Sequence, residues 1–190
     1  MKDFLSKISE IWVGYQSREG IRAQADGSFF LLQARDLDKL HQIDWPNLTR
    51  FTPSGSTSKS EIRHGDVLFL ARGQDNFSFL ISHDTRNILA SNSFYILRAK
   101  PQFVLPEFLA WWINQAPAQD FIKLNRSAGT LPFISVSALS QLEVPVPEVE
   151  VQQRIGKLDL LRKKEADLIS SYLSKKSSLV DAVCLEAISE

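Results

Sequence analysis

Over residues 1–147, short apolar segments alternate with Gly, Asn, Asp and Pro. This is the pattern of brief strands separated by turns. The runs rich in β-branched and aromatic residues predict strands at Ile11–Tyr15, Phe29–Ala34, Val67–Ala71, Phe94–Arg98 and Leu142–Val146. Between the last two the spacing turns helical. Pro106 suits a first helical position, where its missing N–H has no partner to lose, and a helix follows over Glu107–Asn114. Gln119–Leu124 reads as a second short helix. The class is α+β, with strands dominating the first hundred residues.

The pattern changes at Pro145–Pro147. The remaining 43 residues hold no proline and one glycine, Gly156. Glu148 and Glu150 sit where the positive end of a helix dipole favours acids. Apolar residues then recur in steps of mostly three and four: Val151, Ile155, Leu158, Leu161, Leu168, Tyr172, Leu179 and Val183. Polar breaks fall at Lys163–Glu165 and Lys175–Ser178. A helix of about 40 residues is roughly 60 Å long, whereas a domain of about 150 residues has a radius of gyration near 15 Å. The domain cannot shelter such a rod along its whole length. Two arrangements remain, a hairpin folded back near Ile169–Ser178 and a projecting helix that takes a partner. The segment lacks Gly and Pro for a turn, which favours the projecting helix.

Composition narrows the classes. Lys+Arg and Asp+Glu both number 22, so the chain is not a globally basic DNA-coating protein. The two parts are each near neutral, with 15 basic against 14 acidic residues in 1–147 and 7 against 8 in 148–190. A single cysteine, Cys184, excludes a disulfide framework and a cysteine-built metal site. The longest apolar run, Phe108–Ile113, is far short of the roughly 18 residues that a spanning helix needs. The first residues, MKDFLSKISEIW, show no signal-peptide core. A cytoplasmic location without membrane attachment is expected.

Catalytic signatures are lacking. There is no phosphate-binding Gly-rich loop, no GxGxxG and no GxSxG elbow. His41, His64 and His83 have no spacing that suggests a metal site. His83–Asp84 could orient an imidazole, but reads better as a polar turn. Asp44–Asn47 lacks the second proline and the tyrosine of an amino-methyltransferase loop. No enzymatic activity is expected, and no metal.

Four segments instead group polar and basic residues beside strands: Gln33–Leu37, Gly65–Asn76, Ala90–Arg98 and Arg126–Ser135. Singly, each reads as a turn or a solvated charge. Together they suggest loops on a β framework that carry planar hydrogen-bonding groups. Arg can fork onto guanine or phosphate, Asn and Gln can pair with adenine, and Gly lets the backbone approach closely.

These segments, in this order, resemble the target-recognition domain of type I restriction–modification specificity subunits. The resemblance runs from about Phe29 to the C-terminus. It is carried by GDVLFLARGQDN, SNSFYILR, LPEFLAWWINQ and GTLPFISVSALSQLEVPVPEVEVQQRIGKLD, the last looking like the family's junction between recognition domain and spacer helix. It implies a β-rich target-recognition domain over 1–147 and a long coiled-coil helix over 148–190. The implied function is non-catalytic, binding double-stranded DNA and directing adenine methyltransferase subunits, and through them a restriction subunit, to a sequence. S-adenosylmethionine, ATP and magnesium would belong to those partner subunits, and this chain would hold no cofactor. Family members carry two recognition domains and two helices packed as an antiparallel coiled coil. One of each here implies a half-length form that restores the plan as a homodimer on a bipartite palindrome, or by pairing with another half-length subunit. The competing reading is a coiled-coil adaptor or decoy that captures methyltransferase subunits without reading DNA.

Loop position makes Arg72 and Arg126 the leading candidates for DNA contact, followed by Gln74, Asn76, Asn92, Arg35 and Lys59, with Gly73 and Gly129 allowing close approach. Leu168, Tyr172, Leu179 and Val183 are the expected dimer seam. Of Trp111 and Trp112, on neighbouring helix faces, one is expected in the core, and the other is a candidate contact for a methyltransferase.

Overall fold

A strand made wholly of apolar residues has no side to offer to water, so it belongs between two layers. β5 (Val67–Leu70) is that strand, buried at every position. In the computed structural model, which describes residues 2–17, 20–38 and 42–188, it lies inside an antiparallel sheet. The strand order is β2 (Ser9–Val13), β8 (Phe94–Ala99), β5 and β6 (Ser78–Leu80). Alternate residues face opposite sides. Val67, Phe69, Tyr95 and Leu97 pack on a helical layer of α1 (Leu5–Ile8), α2 (Pro106–Ile113), α3 (Ala116–Asn125) and α4 (Val136–Ser140). Leu68, Leu70, Phe94 and Ile96 pack instead with Leu32 and Ala90 of a second sheet.

That second sheet has the order β4 (Thr49–Phe51), β3 (Phe29–Leu32), β7 (Ile88–Ala90), with β3 and β7 parallel. The parallel pairing sends the ends of β3 and β7 to one edge of the domain. The chain then turns at Ser91–Ser93 into β8.

The predicted strands and helices are present with shifted ends. The run expected over Phe29–Ala34 stops at Leu32 and tightens into a 3₁₀ turn at Ala34–Asp36. The three-residue strands β4, β6 and β7 were not foreseen, because three residues are too few to display a period. The first residues matter more than the sequence suggested. β1 (Lys2–Phe4) pairs antiparallel with β9 (Glu143–Pro145), and Leu5 and Ile8 of α1 are fully buried. The start of the chain is therefore bound to the Val-Pro junction.

α5 runs unbroken over Val149–Ala187, and there is no hairpin at Ile169–Ser178. Its base is docked, and further along the rod Asp167 accepts from Gln42 Nε2 of the domain (2.6 Å). Gln152 is buried, donating to the carbonyls of Phe103 (3.2 Å) and Pro147 (2.9 Å) and accepting from the Leu105 N–H (2.8 Å). One turn on, a Cβ at Gly156 would stand 2.8 Å from Glu107 Cβ, so glycine permits the close approach of α2. Asp159 follows, buried and held by Arg162 (2.8 Å) and Lys163 (2.7 Å). The docking face is thus Gln152, Ile155, Gly156 and Asp159. Leu158 and Leu161, which the periodicity grouped with the docked residues, are exposed on the other side.

Candidate nucleic-acid interface

Beyond Leu70 the β5 chain leaves the sheet but stays bonded. The Ala71 N–H meets the Ser93 carbonyl (2.8 Å), the Ile134 N–H meets the Ala71 carbonyl (3.2 Å), and the Gly73 N–H meets the Pro132 carbonyl (2.9 Å). This short ladder, with Arg72 opposite Phe133, joins the loop after β5 to the loop after α3. Gly73 (φ 116°) and Gly129 (φ 129°) take left-handed conformations that side chains resist.

The ladder gathers six of the nine sequence candidates on one rim. Arg126 Nη1 donates to the Gln74 carbonyl (2.8 Å), and Gln74 Nε2 to the Thr130 carbonyl (3.4 Å). Arg72 Nε donates to the Asn92 carbonyl (3.2 Å), with its guanidinium 5.6 Å from the centre of the Phe133 ring. Among the described residues neither guanidinium of Arg72 and Arg126 is in an ion pair. Their charge stays available at the surface.

Under the rim, Tyr95 Oη donates to the Ile134 carbonyl (2.8 Å). Burial pushes the Tyr95 phenol above its usual value, against the opposing pull of the Arg72 charge. The donor therefore stays protonated across the physiological range. Sequence reasoning passed over Tyr95 and Phe133, which look like ordinary apolar residues. The only available signal for Phe133 was its place among Ser, Gly and Thr.

Asn76 stands apart from the rim. It is only 7% exposed, and its Nδ2 donates to the Leu70 carbonyl (3.0 Å). That bond closes the loop after β5 on its buried side. Arg35 and Lys59 lie outside the hydrogen-bonded network. Arg35, in the 3₁₀ turn after β3, bonds Thr49 Oγ1 (3.2 Å). Lys59 places its ammonium 4.9 Å from the centre of the Trp12 ring, which Arg98 also approaches (5.4 Å). Arg98 is itself paired with buried Asp66 (2.9 Å), so the Gly65–Asp66 turn is anchored as well as tight.

The remaining candidates fall as follows. His41 lies outside the described residues, and His83 packs on Trp45 (5.9 Å between ring centres). Asp44 accepts from Asn47 Nδ2 (2.9 Å) within its own turn. Trp111 and Trp112 are both partly buried against the helical-layer core. Among the described residues there is no group of three or more His, Cys, Asp or Glu placed to hold a metal, and no helix long and apolar enough to cross a membrane. Leu168, Tyr172, Leu179 and Val183 are all bare, from 56% to 71% exposed.

No family model matches the chain. It is 29% identical over 107 residues to the type I restriction enzyme HindI specificity subunit of Haemophilus influenzae, a match covering 55% of this chain and 23% of that protein. Among solved structures, it is similar to a type I restriction–modification S subunit from M. genitalium (TM-score 0.60, 16% identity, 90% of this chain and 41% of that one). It is also similar to the HsdS subunit of Thermoanaerobacter tengcongensis (TM-score 0.62, 20% identity, 90% and 39%). A third likeness is to a chain from a study of assembly and conformational transition of the type I system (TM-score 0.63, 18% identity, 94% and 42%). At these identities the structural likeness is one of fold, and the chain spans about two-fifths of the length of each solved relative. In sequence over part of its length, and in fold over nine-tenths of it or more, the chain is similar to type I restriction–modification specificity subunits.

Proposed function

We propose that this chain is a non-catalytic reader of double-stranded DNA, taking one half-site of a bipartite sequence and directing methyltransferase subunits, with a restriction subunit, to it. Residues 1–147 act as the reader and 148–190 as the spacer. The observation that carries the reading is the pairing of two features. One is a glycine-hinged rim holding two uncompensated arginines; the other is a rod whose apolar stripe its own domain leaves bare. A forked guanidinium suits guanine or phosphate, and a bare stripe demands another helix. A second copy supplies that helix and sets two readers about a twofold axis. The methyl donor, ATP and magnesium belong to the partner subunits, and the assembly works in the cytoplasm.

Capture of a methyltransferase subunit by the chain, followed by methylation mapping on genomic DNA, tests this directly. The expected outcome is adenine methylation at a bipartite palindrome. A complex that forms and methylates nothing would identify an adaptor or decoy instead, and methylation or cleavage by the chain alone would overturn the non-catalytic assignment.

A further inference from the structure

Resting on that reading of α5 as a dimer rod, we infer that its bare stripe specifies an antiparallel register in which Glu165 of each chain lies against Lys175 of the other. At about 100° per residue, Leu161 and Leu179 lie about 180° around the helix from Gln152, so the stripe faces directly away from the docked side. From Leu158 to Ala182 it advances in alternating steps of three and four, the repeat of a two-helix seam. Two of its positions are charged, Glu165 and Lys175, and both are exposed.

Their placement is symmetric. Glu165 and Lys175 stand five residues either side of Ser170, as Leu168 and Tyr172 stand two residues either side, and Leu161 and Leu179 nine. A twofold axis beside Ser170 stacks Leu161 on Leu179, Glu165 on Lys175 and Leu168 on Tyr172, each layer occurring twice. Parallel pairing would set Glu165 against Glu165 and Lys175 against Lys175, so the charges select the antiparallel mate. Arg162, which this register brings toward Lys176 of the partner, already donates to Asp159 within its own helix (2.8 Å). The register also separates the two docking points at Gly156 by about 42 Å along the rod.

The test uses full-length protein with Cys184→Ser to remove the native thiol. Light scattering on dilution reads the dimer dissociation constant of Glu165→Lys, Lys175→Glu and the double exchange. Each single exchange should weaken the dimer about tenfold or more, and the double exchange should return it to within about threefold of the parent. In parallel, Glu165→Cys with Lys175→Cys in one chain should oxidise to a covalent dimer, while neither cysteine alone does so. A dimer that cross-links through Glu165→Cys alone is parallel and overturns the register. So does one that ignores the charge exchange and cross-links through Ile169→Cys with Val180→Cys, the neighbouring apolar stripe. Either result leaves the dimer intact. A strict monomer at micromolar concentration, with and without methyltransferase, would instead overturn the dimer rod itself.

Discussion

At the scale of single residues, the rim separates side chains that face solvent from those that hold the loops in place. Arg72 and Asn76 lie four positions apart in one loop, and sequence makes the first a leading and the second a lesser candidate for DNA contact. In the fold, Arg72 sits above the ladder and Asn76 below it. A buried amide that hydrogen-bonds a strand-end carbonyl is structural, and its loss leaves that carbonyl without a partner. Asn76→Ala should therefore destabilise the domain by about 1–3 kcal/mol, read from denaturant midpoints. Arg72→Ala should barely move that midpoint, and should relax sequence preference at a single position, at a cost of about 1–3 kcal/mol. A variant panel scored by methylation at permuted sites checks the second half. Equal loss at every site would make Arg72 a phosphate contact only.

At the scale of elements, the base of α5 is held by polar groups where apolar ones were expected. Gln152 knits three backbone groups together, and Asp159 is buried two turns further on. Burial by itself would raise the Asp159 carboxyl, but hydrogen bonds from Lys163 and Arg162, with their charges, hold it below its ordinary value of 3.8. A depressed acid in the folded state contributes stability that is complete above the ordinary carboxylate range. That contribution fades as pH falls through 3.8 and below. Asp159→Asn should thus melt lower than the parent at pH 7, and the gap should be narrower at an acid pH below 3.8. Thermal melts at the two pH values decide it, and a gap that persists in acid would assign the role of Asp159 to packing. A polar base also explains the stripe. Because Gln152, Gly156 and Asp159 occupy the docked face, the leucines are free to point outward from Leu158 onward.

For the whole molecule, charge limits what the chain does alone. Residues 1–147 carry a net charge of only +1, so few phosphates can be neutralised and few counterions released. The isolated chain should bind its cognate duplex weakly and in a salt-sensitive way, and the complex with methyltransferase subunits should bind it tightly. Fluorescence anisotropy across a salt series measures both. Nanomolar, sequence-selective binding by the free chain at physiological salt would contradict this division of labour.

The chain's own order of residues determined the class, the break at Pro145–Pro147, the unbroken rod and the segments that bear the rim. Each of these is written in local periodicity, in proline chemistry or in turn residues that act on their immediate neighbours. Tertiary structure alone decided the rest. It joined the loop after β5 to the loop after α3, more than fifty residues later, sank Asn76 while leaving Arg72 outside, and placed Leu5 and Ile8 in the core. It also turned the leucines of α5 away from the domain. Burial and long-range pairing depend on which surfaces meet, and that is a property of the packed layers that no local stretch of sequence contains.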